Sequence, residues 1–242
     1  MPRSAQSATI VVDGVPIAVT RKRVKRINMR AGADGAIRMS IPFSCPLAEA
    51  EAFARSQRAW IARAAARRTA EASREWADGE TAYLWGRGLP IAVIEGASRS
   101  KPKALVDGER IAVIVPDELA GFDEAAIDAR REAIAALRTS ELKRALPELS
   151  SWAEATVGEQ ASSWSVRTMR TRWGSCTPKT RRIRLNAELA AFPRQCAESV
   201  AVHECAHLIE ASHNARFHEL MDRFYPEWKA ARKILNARRE LQ

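Results

Sequence analysis

The sequence predicts an α+β protein, with a β-rich N-terminal part over residues 1–120 and a mostly helical part over residues 121–242. The composition changes from β-forming to helix-forming between Pro116 and Phe122. In addition, three Asp-Gly pairs stand in connections between apolar, β-rich runs, a pattern typical of hairpins. The three pairs are Asp13-Gly14, Asp34-Gly35 and Asp107-Gly108.

The N-terminal part is expected to begin with strands over residues 8–42. Ile37, Met39 and Ile41 alternate with polar residues, which predicts a sheet with one buried face. A helix is expected to begin near Pro46 and end near Asp78, because apolar residues between Phe53 and Ala64 recur at helical spacing. Residues 80–116 are again expected to form strands.

The C-terminal part is expected to be helical from Phe122 to about Gly158, with a break at Pro147. A hairpin follows near residues 164–186, where two β-rich runs flank the turn sequence TPKT. Pro193 then stands at the expected first turn of another helix.

The cysteine spacing, the apolar segments and the net charge indicate the compartment and the possible partners of the protein. The four Cys are far apart and form no C-x-x-C pair, which argues against a disulfide framework and favours a reducing compartment. No segment resembles a signal peptide or a membrane span, so we expect a cytoplasmic protein that does not bind membranes. The net charge of +10 suits either a basic solvated surface, which we favour, or an anionic partner such as nucleic acid.

All four His of the chain lie between residues 201 and 220. His203-Glu204-Cys205-Ala206-His207 is an H-E-x-x-H motif, and residues four apart share one face of a helix. Both imidazoles can therefore reach one metal ion. Glu204 projects beside them as the candidate general base, and Cys205 is expected to be buried behind the helix.

A catalytic zinc normally has three protein ligands and leaves a fourth position for water. His213 is the favoured third ligand, since it lies ten residues after His203, the separation in H-E-x-x-H-x-x-G-x-x-H peptidases. Glu210 occupies the position of their Gly, so the turn must form without it. His218 and Glu219 are the alternatives.

These residues predict zinc-dependent hydrolysis in which Glu204 takes a proton from water and passes it to the leaving amine. Two alternatives remain. One is a metal-dependent hydrolase of nucleotides or other phosphoanhydrides, with arginines as a source of affinity for an anionic substrate. The other is a nucleic-acid-associated protein, either a DNA-targeted protease or a binding protein with a structural metal. The arginines that precede the metal helix are Arg170, Arg172, Arg181, Arg182 and Arg184.

The order of motifs resembles the YgjP-like zinc metallopeptidases, relatives of the SprT and WLM groups. The resemblance rests on R-W-G-S-C at Arg172–Cys176, I-x-L-N at Ile183–Asn186, the Pro-led H-E-x-x-H helix, and His213–Phe217. It implies a zincin-like C-terminal domain with a small sheet, a peptide or protein substrate, and His213 as the third zinc ligand. It further implies that the RRIRLN strand forms a sheet edge to which a substrate peptide adds.

Overall fold

The computed structural model describes residues 7–31, 36–72, 74–96 and 101–239, and it is a mixed α+β protein. The chain divides into two compact units, one with the described residues up to Arg74 together with Arg238 and Arg239, and the other spanning Glu75–Ala237. The boundary expected near residue 120 lies inside the second unit. The reason is that the strands before it and the helix after it contribute to one hydrophobic core.

The first unit is a four-stranded sheet with order β1-β2-β4-β3, followed by two helices. Its elements are β1 (Ser7–Val12), β2 (Val15–Arg21), β3 (Asn28–Ala31), β4 (Ile37–Ile41), α1 (Leu47–Ser56) and α2 (Arg58–Ala72). The Asp13-Gly14 hairpin is confirmed, with φ of 48° and 81° at the two residues. The Asp34-Gly35 pair lies outside the described residues.

The buried face of this sheet is as expected, since Ile37, Met39 and Ile41 are each 2% exposed or less. The single helix expected after Pro46 is instead two helices, separated at Gln57. Together with β1 and β2, the helices enclose a separate core that includes Ala54 and Ile61.

The second unit begins with another four-stranded sheet, of order β5-β6-β8-β7. Its strands are β5 (Thr81–Leu84), β6 (Arg87–Gly96), β7 (Lys103–Asp107) and β8 (Arg110–Pro116), and the long helix α3 (Glu124–Val157) follows. The Asp107-Gly108 hairpin joins β7 to β8 as expected.

The expected break at Pro147 is wrong, because α3 continues through this residue. Proline removes one helical hydrogen bond and costs about 3 kcal/mol in a helix interior. Leu142 and Leu149, on either side of it, are both buried in the same core. Burial of each such side chain contributes about 1.5–3 kcal/mol, which offsets the cost of keeping one continuous helix.

The remaining elements form the C-terminal part of the second unit. They are β9 (Ser163–Arg167), β10 (Gly174–Thr177), β11 (Arg182–Asn186), α4 (Arg194–Ala206), α5 (Ala215–Phe224) and α6 (Trp228–Arg239). The expected hairpin is present as the antiparallel pair β10–β11, with a 3-10 turn at Pro178–Thr180.

The expected role of the RRIRLN strand as a sheet edge is wrong. This strand is β11, and the sheet order β10-β11-β9 places it in the centre, because β9 pairs with it in parallel. Edge positions belong to β10 and β9 instead. In the described part of the chain, no helix is both long and apolar enough to cross a membrane.

Candidate metal centre

Helix α4 carries the H-E-x-x-H motif, and its start is fixed by close packing. Pro193 is the N-cap residue, and it packs so tightly against Gly86 that a Cβ on Gly86 would lie 2.8 Å from Pro193 Cγ. The neighbouring Trp85 N–H donates to the carbonyl of Ala190. The turn between β5 and β6 therefore positions the helix, a contact that sequence reasoning did not identify.

One side of α4 is embedded in the core. Ala201, Val202 and Cys205 are all fully buried, as expected for Cys205. The helix cannot rotate without exposing these side chains, so the directions of its functional residues are fixed.

The structure brings His203, His207 and His213 together, with candidate ligand nitrogens all within 4.8 Å of one another. The Nε2 atoms of His203 and His213 are 3.0 Å apart. Ligands of one tetrahedral zinc ion lie about 3.3 Å from each other, so this spacing fits a shared ion. Among the described residues, the group contains neither His218 nor Glu219.

The orientation of His207 is set by its other ring nitrogen. Its Nδ1 lies 3.0 Å from the carbonyl oxygen of Glu210, a contact in which Nδ1–H donates. The lone pair then resides on Nε2, the atom that is free to bind a metal. The buried position of His207 keeps this contact away from water.

His213 reaches the site through a tight turn after α4. The Glu210 carboxylate accepts a hydrogen bond from the Ser212 N–H, and bonds to Ser212 and the Asn214 side chain lower the pKa of Glu210. Asn214 also caps α5 by accepting from the Phe217 N–H. None of the residues from 208 to 214, all described, adopts a positive φ. Side-chain hydrogen bonds thus form this turn without the Gly that related motifs use.

The aromatic ring of Phe217 packs against all three imidazoles. Its ring centroid lies 4.9 Å from His203, 4.6 Å from His207 and 4.8 Å from His213, and the ring is stacked on His207. Phe217 is 1% exposed, so it cannot move aside without opening a cavity. In the sequence, Phe217 stands out only as the end of the motif His213–Phe217, and nothing there indicates contact with the histidines.

The electrostatic environment favours the neutral form of the His203 and His213 imidazoles. Burial lowers the pKa of His203 to about 3, helped by the proximity of His207 and His213. The pKa of His213 is also lowered, by burial and then by His207. Neutral imidazole is the form that binds a metal, so these nitrogens are available as ligands at neutral pH.

Glu204 projects from the same helix toward strand β10 and is 6% exposed. A Cβ on Gly174 would lie 2.6 Å from Glu204 Oε1 and 2.6 Å from its Cγ, so only glycine leaves room for this side chain. Burial raises the pKa of Glu204 to about 8, while a hydrogen bond from the Cys176 N–H and the charge of Arg172 oppose the rise.

The loop before β10 is held by Asn186 at the end of β11. Its amide nitrogen donates to the carbonyls of Met169 and Arg172, and its amide oxygen accepts from the N–H groups of Met169 and Glu188. Asn186 is 4% exposed. The two motifs therefore act together. The R-W-G-S-C motif forms the strand beside Glu204, and Asn186 of the I-x-L-N motif holds the loop that leads to this strand.

His218 lies outside the cluster. Its ring stacks on Trp228 of α6, with centroids 5.5 Å apart and an interplanar angle of 12°. Its Nδ1 is buried without a hydrogen-bond partner among the described residues. Of the arginines before the metal helix, Arg181 pairs with Glu159 at 2.7 Å, whereas Arg172 is exposed.

The sequence matches the family described as YgjP-like, metallopeptidase domain, over residues 25–238. No curated protein matches it. Among solved structures, it is similar to the crystal structure of the metallopeptidase zymogen of Pyrococcus abyssi abylysin. That similarity has 21% identity and a TM-score of 0.32, and covers 36% of this chain and 86% of the other.

Proposed function

The chain belongs to the YgjP-like metallopeptidase family, and from this premise we propose that it is a zinc-dependent peptidase with a zincin-like active site. His203, His207 and His213 hold the ion, and Glu204 is the general base. The observation that carries the proposal is the convergence of three imidazoles beside one buried carboxyl group.

The donor set favours zinc over the hard cations. Ca²⁺ and Mg²⁺ prefer oxygen ligands, whereas imidazole nitrogen suits zinc. Three protein ligands with an open fourth position are typical of catalytic sites, and structural zinc sites are usually closed by a fourth side chain, often Cys. His218, the remaining histidine, lies stacked on Trp228 outside the three-histidine group, which supports an open position.

The chemistry divides between the ion and Glu204. A bound zinc ion supplies Lewis-acid chemistry, which acidifies water and polarises a carbonyl group. Glu204 Oε accepts the proton that water loses when it attacks the carbonyl carbon, and then donates it to the nitrogen of the leaving amine. The Cys176 N–H and the charge of Arg172 stabilise the ionised carboxylate that begins this cycle.

Strand β10 suits the binding of a peptide in extended form. It is an edge strand, and its Cys176 N–H bonds to Glu204 rather than to β11. Because the N–H and C=O of one strand residue point to the same side, the Cys176 carbonyl also points away from β11. A peptide added along this edge would lie beside the general base.

A hydrolase screen on the zinc-loaded protein tests this function. We expect wild type to cleave peptides and not nucleoside triphosphates. Glu204→Gln should retain about one zinc per chain, measured by plasma mass spectrometry, and lose hydrolysis. Glu132→Gln, an exposed carboxylate on α3, is the matched control and should behave as wild type.

Two results would contradict the proposal. Retained peptide hydrolysis in Glu204→Gln would remove this residue as the base. Triphosphate hydrolysis that depends on Glu204, with no peptide cleavage, would assign the same site to a phosphoanhydride hydrolase.

A further inference from the structure

The basic charge of the protein is concentrated in its first unit. Residues 1–74 contain 14 Lys and Arg against 5 Asp and Glu, a net charge of +9. Residues 75–242 contain 25 basic and 24 acidic residues, a net charge of +1. If the whole protein simply favoured arginine, both parts would carry a high positive charge. The high net charge is therefore a specific property of residues 1–74.

Much of this charge lies in the connection from β2 to β3, residues 21–26, with sequence RKRVKR. Arg21 has a structural role, since its guanidinium donates to the carbonyls of Phe43 and Cys45. The four other basic side chains are exposed, and no acidic side chain in the described part of the chain pairs with them. We call this set the basic loop: Lys22, Arg23, Lys25 and Arg26.

The same unit has an open sheet face that is also basic. On β4, Ile37 and Met39 point into the core, so Arg38 points to the opposite face. Arg30 on the edge strand β3 is directly opposite Arg38 in the antiparallel register, and both are exposed. The pair adds two positive charges to this face of the first unit.

We propose that the basic loop and this sheet face bind the backbone of a single-stranded nucleic acid. Guanidinium groups match phosphate oxygens in a bidentate geometry, and a single strand combines regularly spaced phosphates with unstacked bases. Phe43, whose carbonyl accepts from Arg21, is 43% exposed and offers a ring on which a base can stack.

An anionic membrane fits this surface less well. Membrane-surface binding needs several apolar side chains beside the basic ones, so that they insert among the lipids. The polar residues Asn28 and Ser40 share the face with Arg30, and the exposed Val11 lies on the opposite edge strand, β1. Duplex DNA, whose major groove admits strands as well as a helix, is separated from a single strand by the experiment below.

Fluorescence anisotropy with a labelled 20-nucleotide oligo(dT) and the full chain tests the proposal. The logarithm of the affinity should fall linearly with the logarithm of salt concentration, and four phosphate contacts from the basic loop contribute about −3 to that slope. Replacing the basic loop should reduce the affinity on the order of 10²-fold at 0.1 M salt and flatten that slope. The variant is Lys22→Gln, Arg23→Gln, Lys25→Gln and Arg26→Gln combined.

A matched control removes four exposed basic residues from the second unit and should bind as wild type. Its changes are Arg131→Gln, Lys143→Gln, Lys179→Gln and Lys233→Gln. His203→Ala should also bind as wild type, which separates this surface from the metal centre. Equal loss in the loop variant and the control would overturn the proposal, as would wild-type binding to anionic vesicles without binding to oligo(dT). Tighter binding to a duplex of equal length would overturn the single-strand assignment.

Discussion

Gly174→Ala is the substitution that most specifically perturbs the proposed base. An ideal Cβ at this position lies 2.6 Å from Glu204 Cγ and 2.8 Å from its Cδ, whereas carbon atoms in contact prefer about 3.5–4.0 Å. Helix α4 cannot retreat, because Val202 and Ala206 on its other side are fully buried. The Glu204 side chain must therefore move by about 1 Å and weaken its bond from the Cys176 N–H.

The expected effect is a large loss of turnover with a moderate loss of stability. A misplacement of 1 Å at a reacting group costs about 10²-fold in rate, and overpacking costs about 1–3 kcal/mol in the free energy of unfolding. Zinc content should stay near one per chain, because the three atoms nearest the added methyl group all belong to Glu204, which is not a proposed ligand.

The assay measures kcat and KM for a cleaved peptide, zinc content and urea unfolding. Gly121→Ala is the control, because a Cβ there meets no atom within 4 Å. Wild-type kcat in Gly174→Ala would refute the contact between this glycine and the base. If Gly174→Ala lost zinc without losing stability, the substitution would be shown to disturb the zinc ligands and not Glu204 alone.

Three further predictions concern the surroundings of the site. His213→Ala should lose most of the bound zinc by plasma mass spectrometry, whereas His218→Ala should keep it; the reverse result would make His218 the third ligand. Asn186→Ala removes four hydrogen bonds at a buried position and should lower the free energy of urea unfolding by about 2–3 kcal/mol, so a change below about 0.5 kcal/mol would contradict its role. Phe217→Ala should cost about 3–5 kcal/mol and weaken zinc affinity, while Phe217→Leu should cost less; unchanged zinc affinity in Phe217→Ala would show that the ring does not support the imidazoles.

The features that the sequence predicted well depend on neighbouring residues. The Asp13-Gly14 and Asp107-Gly108 hairpins follow from the positive φ that these turns require. The pair His203 and His207 follows from helical spacing alone. Local patterns carry this information because the interacting groups are a few residues apart.

Features set by distant contacts were missed or wrong. Gly174 is 30 residues from Glu204, and its need to lack a side chain appears only when β10 packs beside α4. The central position of the RRIRLN strand depends on β9, whose parallel pairing leaves no mark in the pattern of either strand. Pro147 was expected to break a helix that core packing on both of its sides keeps continuous.

X-ray diffraction from zinc-loaded crystals, with data collected on both sides of the zinc absorption edge, tests the central claim most directly. We expect one anomalous peak per chain in contact with Nε2 of His203, His207 and His213, with no fourth protein ligand and with Glu204 beside it but not bound. A peak elsewhere, or one closed by a fourth side chain such as His218, would contradict a catalytic zinc at this site.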